Sequence, residues 1–154
     1  MTTLNTTAVL FAVVDALNTG LAAVAAPTWT AYDGPTVTTD TPGTYLIVGS
    51  DGQGNSYNYT QGWHSEGLQP ERDESGTIHC QVVSHNGDGV TTTARGLVRD
   101  ALADLAAVVQ GINVTTVIEV HLGTAQIAVR QVPTGVEVEA LVDLSYTGLL
   151  TTWP

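Results

Sequence analysis

The residues best suited to chemistry are few. Cys80 stands beside His79 and near His85, the residue types of a thiolate nucleophile and its base. Neighbouring residues of a strand point to opposite faces, so in an extended segment His79 is badly placed to activate Cys80. Cys80 is instead in phase with Ile78 and Val82, where a small buried hydrophobe is expected. The histidines at 64, 79, 85 and 121 lack the close His/Cys spacing of a zinc site. His79 and His121 would share a sheet face only if their strands were neighbours. Asp51, Gln53 and Asn55 open like a calcium loop, but Ser56 stands where the loop needs glycine and Gly62 where it needs glutamate. The glycine-bearing turns at 52–54 and 86–89 are short and acidic, and no Gly-Lys-Ser/Thr follows them, so no phosphate cradle is expected. Glu137, Glu139 and Asp143 repeat at odd-numbered positions on one face of a strand; a solvated acidic face is the expectation. Tyr57, Tyr59 and Trp63, with Trp153 near the C-terminal end, suit a protein interface or a sugar platform. No catalytic residue, cofactor site or metal site emerges.

The elements that must position these groups centre on residues 74–111, which read as a strand, a polar turn and a long helix. Ile78, Cys80 and Val82 alternate with His79, Gln81 and Val83. The HNGDG turn follows, and threonines 91–93 offer side-chain oxygens to a helix start. Ala94, Leu97, Val98, Ala101, Leu102, Leu105, Val108 and Val109 form one apolar stripe, and Gly111 is expected to end the helix in a left-handed cap. A first helix is predicted over 8–24, with Leu10, Val13, Leu17, Leu21 and Val24 on its apolar stripe, weakened at Gly20 and stopped by Pro27. Strands are predicted at 36–39 and 44–49, with a short exposed one at 56–60. A long surface loop is predicted over 61–76. Three further strands, 113–122, 125–132 and 136–144, are separated by Gly123-Thr124 and Pro133-Thr134-Gly135, which read as hairpin turns. The expectation is an α+β fold in one domain, 1–154: a mostly antiparallel β-sheet with two helices packed on one face.

Composition narrows the partners. The 154-residue chain carries fifteen acidic residues against four basic ones, all arginine, for a formal net charge of -11. So acidic a surface repels phosphate, which disfavours nucleic-acid binding along the chain. No apolar run approaches the ~20 residues of a membrane span. The opening segment lacks a basic n-region and is not expected to act as a signal peptide. One cysteine excludes an internal disulfide framework.

Taken together, the N-terminal helix, the strand pair, the loop carrying RDESGTIHCQVV, the GDG turn, the ARGLVRDALADLAAVV helix and the terminal β-meander resemble the tail terminator proteins of long-tailed bacteriophages. The resemblance spans most of the chain and lies in the order of elements rather than in any short motif. It implies a non-enzymatic virion subunit, assembled in the host cytoplasm, that forms a ring, usually a hexamer. Such a ring caps the head-proximal end of the tail tube, with the tube protein on one side and the head–neck connector on the other, and needs a head-to-tail contact that closes. On this reading Glu137, Glu139 and Asp143 face a lumen through which DNA passes without specific binding. Tyr57, Tyr59, Trp63, Arg72 and Glu74 belong to an interface loop. Other neck or connector roles in the same particle share this plan. Two unrelated readings are a secreted sugar-binding module built on Tyr57, Tyr59 and Trp63, and a small enzyme using His79 or His121 with Glu119, for which no nucleophile, base and orienting group can be assembled.

Overall fold

The computed structural model describes residues 8–35, 42–50, 52, 58–64 and 72–150. Two helices and six strands form an α+β fold with a mostly antiparallel sheet. α1 (Ala8–Ala22) buries Val9, Leu10, Val13, Val14, Leu17 and Leu21, the stripe set by steps of three and four. α2 (Thr91–Gln110) buries Ala94, Val98, Ala101, Leu105 and Val109, while Leu102 and Val108 flank the stripe half-buried. Gly20 has a packing role: a Cβ there would meet Val108 Cγ1 at 2.6 Å, so the missing side chain lets the helices approach closely.

The sheet runs β1 (Thr30–Asp33), β2 (Gly43–Val48), β4 (Arg72–Asn86), β6 (Gly135–Leu150), β5 (Val117–Val132), with β3 (Tyr59–His64) also paired to β4. β4 is the spine. It pairs β6 along its whole length, from Arg72↔Leu150 to Asn86↔Val136. Its other edge is shared end to end, by β3 from Asp73 to Ile78 and by β2 from Cys80 to His85. Among the described residues the one parallel pairing is β1 with β2. Both helices cover the face that carries Leu46, Val48, Ile78, Cys80, Val82 and the even-numbered residues from Val136 to Tyr146. Behind that face, Trp29 donates its indole N–H to Asp104 at 2.7 Å, tying the chain after α1 to α2.

Several expectations give way to longer strands. The strands expected at 113–122 and 125–132 merge into one strand, β5 from Val117 to Val132, interrupted by an irregularity between Leu122 and Ala125. Gly123-Thr124 is therefore a bulge and not a hairpin turn. Pro133-Thr134 does make the hairpin, closed by Val132↔Gly135; Gly135 holds φ 137 there, and a Cβ would strike the Asn86 carbonyl. The loop expected over 61–76 is occupied at both ends by strand, β3 to His64 and β4 from Arg72. β1, which the sequence did not suggest, precedes the strand expected at 36–39, and that stretch lies outside the described residues. The α2 termini also differ. Gly111 caps at φ -88 in the right-handed region, its amide donating to the carbonyls of Ala107 and Val108. No threonine side chain caps the start, where Val90 is the N-cap; Asp88 instead accepts the Val90 amide at 2.7 Å.

Candidate functional surface

Facing residues on neighbouring strands share a side of the sheet, so the register defines the surface opposite the helices. β4 contributes His79, Gln81, Val83 and His85 to it; β6 contributes Glu137, Glu139, Leu141 and Asp143; β5 contributes Glu119, His121, Gln126, Ala128 and Arg130. The three predicted carboxylates are thus together on one face, as their spacing implies.

They are not, however, a uniform solvated row. Asp143 is exposed and lies 2.6 Å from His79 Nδ1. Glu137 is half-buried and Glu139 is only 8% exposed. Arg130 explains the difference. Its guanidinium meets Glu137 Oε1 at 2.8 Å through one terminal nitrogen and Glu139 Oε2 at 3.0 Å through the other, a fork that compensates two carboxylates on adjacent turns of the pleat. The other Glu139 oxygen accepts from Gln81 Nε2 at 3.3 Å, and Gln81 accepts from the Ser50 hydroxyl at 3.0 Å. The turn at Ser50 and Gly52 lies over this spot, since a Cβ on Gly52 would meet Glu139 Oε1. A buried acid is tolerated because each oxygen has a partner. At the far end His85 Nε2 lies 3.3 Å from Glu137 Oε2, within ion-pair range but without the alignment of a hydrogen bond. On β5, His121 Nε2 meets Glu119 Oε1 at 2.5 Å, two residues along the same face.

A small cavity of about 220 Å³ opens here, lined by Gln126, Ile127, Ala128, Arg130, Glu139 and Leu141. Among the described residues no group of three or more His, Cys, Asp or Glu side chains could hold a metal ion. Cys80 is buried on the helix side, away from this surface, and burial pushes its thiol up to about 12, with a smaller upward contribution from Asp143 and an opposing hydrogen bond at Gly49. A thiol so raised stays protonated and unreactive near neutrality.

The described interface-loop residues fall on the paired strands β3 and β4, with Trp63 facing Glu74, but in different environments. Tyr57 lies outside the described residues. Tyr59 is half-buried in β3, packed against the core and edge-on to Phe11 with ring centroids 6.4 Å apart. Trp63, on the same strand, is 49% exposed. Arg72 begins β4. Glu74 is fully buried, so it is no interface residue. One of its oxygens accepts from the Leu10 amide, the Gln61 side chain and the Tyr146 hydroxyl. The Leu10 amide it accepts lies in the first turn of α1, where backbone donors have no partner within the helix.

The likenesses to known proteins are structural. No family model matches the chain, and no curated protein matches it. One solved structure with the same fold is a chain of the virion of the native gene transfer agent (GTA) particle. The match has a TM-score of 0.57 at 17% identity and covers 92% of this chain and 98% of that one. Among the described residues, no helix is long and apolar enough to cross a membrane.

Proposed function

We propose that this chain is a structural, non-enzymatic virion subunit that forms a ring, most simply a hexamer, at the head-proximal end of a phage tail tube. The ring halts tube growth and presents a surface to the head–neck connector. The supporting observation is the shared fold with a GTA virion chain, which covers 92% of this chain and 98% of that one. The tail-terminator assignment rests further on the order of elements along the sequence. On this reading, the sheet face bearing Glu137, Glu139 and Asp143 faces the bore, where a negative field lets DNA slide without sticking. The same fold would also serve a neighbouring connector subunit. A sugar platform is less well supported, because Tyr59 is committed to the core and to Phe11 rather than presented beside Trp63.

Native mass measurement and electron microscopy with purified tail tubes test the proposal. A closed ring bound at one tube end, with elongation stopped, is the expected result. A ring that binds the connector but not the tube would reassign the chain to the connector. A monomer at millimolar concentration that also ignores tube ends would overturn the ring.

A further inference from the structure

Among the described residues, β5 is an uncovered edge of the sheet. It is sixteen residues long and, among the described residues, pairs only with β6. Natural sheets blunt such edges with charge, proline or a covering element. The far half of β5, residues 125–132, reads AQIAVRQV, without acid or proline. Its one charge, Arg130, is turned to the face opposite the helices and engaged by Glu137 and Glu139. On the helix side, Val117, Val120, Leu122 and Ala125 pack against the core, but beyond them the cover stops: Ile127 is 59% exposed and Val129 is 50% exposed. Their β6 partners, Ala140 and Val138, are fully buried. The apolar stripe therefore continues past the helices of its own chain.

The opposite edge of the sheet has what this one lacks. Among the described residues β1 pairs only with β2, all four of its residues are exposed, and its single charge is the acid Asp33. Within the chain, α1 comes close to β1. We infer that β5 of one copy pairs with the β1 edge of the next, so that the following copy's α1 extends over the bare Ile127 and Val129. This inference rests on the ring reading and names its contact. Two features favour a second copy as occupant. The two free edges stand at opposite ends of one sheet, so pairing them is head-to-tail and self-propagating, as a ring requires. With a net charge of -11, copies repel except where acids are absent, and 125–132 is such a stretch.

The test is a cysteine pair in the full chain on a Cys80→Ala background. Ala31→Cys and Val129→Cys lie on the helix-side faces of the two edges, as their register with Leu46 and Val138 shows. Mild oxidation of the double variant should give a ladder of covalent oligomers up to the ring size, and each single variant should give none. In parallel, Ile127→Glu with Val129→Glu should raise the concentration for half-assembly by at least about tenfold with circular dichroism and melting unchanged. A ring that forms normally without the ladder, and tolerates the paired glutamates, overturns the edge contact while leaving the ring standing. Dimers from Val129→Cys alone would show a two-fold β5–β5 contact instead. A wild type that stays monomeric and ignores tube ends removes the ring, and this contact with it.

Discussion

The Tyr146 hydroxyl donates to Glu74 Oε1 at 2.9 Å inside the core, joining two long strands beneath the first turn of α1. Because Leu10 donates its amide to the same oxygen at 3.1 Å, the pair sets where α1 begins on the sheet. Hydrogen bonds to a charged acceptor contribute about 1.5–3 kcal/mol each, and a stranded buried donor costs about 1–3 kcal/mol. Tyr146→Phe is expected to lower stability by about 2 kcal/mol in denaturant melts. Glu74→Ala should cost more than that, because three donors lose their acceptor, with Glu74→Gln between the two. Equal midpoints for Glu74→Ala and wild type would show that the pair does not hold α1.

Burial raises both the Tyr146 hydroxyl, which its bond to Glu74 raises further, and the Cys80 thiol, the latter from 9.0 to about 12. A group whose folded value exceeds its unfolded one adds stability below the unfolded value and loses it as pH climbs toward the folded one. The loss should therefore begin near pH 9, through Cys80, and deepen above pH 10, where unfolded tyrosine ionises. Melting temperature followed from pH 8 to 11 should fall, and Cys80→Ala should flatten the earlier part of that fall. A flat profile for wild type would contradict the burial of both groups.

What could be read beforehand follows from which interactions are local. The alternation at 136–144 and the three-and-four spacing at 94–109 survive intact, because each encodes a buried face in consecutive residues. Gly123-Thr124 misleads because a bulge and a turn ask for the same chemistry, and only the partner β6, running unbroken past both, distinguishes them. β1 carries no apolar alternation and is extended through its pairing with β2. Glu74 reads as a loop acid because its partners, Gln61, Leu10 and Tyr146, stand 13, 64 and 72 residues away and no local pattern signals them. The Arg130 fork was equally invisible as a device for burying Glu139, although the 130–137 spacing across a short hairpin is its signature in retrospect.

The α2 stripe gives a sharp stability test. Leu105 is fully buried, whereas Leu102 is half-buried. Leu105→Asp would place an unpaired carboxylate between helix and sheet at a penalty of several kcal/mol, on the order of the whole stability of a small domain. Insoluble or unfolded protein is expected. Asp104→Ala, which removes only the acceptor of the Trp29 indole, should fold with a loss of about 1 kcal/mol. Cooperative, wild-type unfolding of Leu105→Asp would show that α2 packs elsewhere.

The acidic face offers the test of the proposed bore, and the structure decides which residue to use. Reversing Glu137 or Glu139 would set a new arginine against Arg130 and, at Glu139, bury it, so folding and charge would change together. Asp143 is exposed and, among the described residues, paired on that face with His79, so Asp143→Arg changes the field at little cost, within about 1 kcal/mol for one exposed pair. In a ring whose sheets face the channel, the substitution repeats in every subunit and replaces a circle of negative charge with a positive one. The assembled variant should then retain double-stranded DNA in gel shifts at low salt and release it at moderate salt, whereas the wild type retains none. Its native mass should equal that of the wild-type ring. Retention of DNA by the wild type itself, or a variant ring as indifferent to DNA as its parent, would place this face away from the bore.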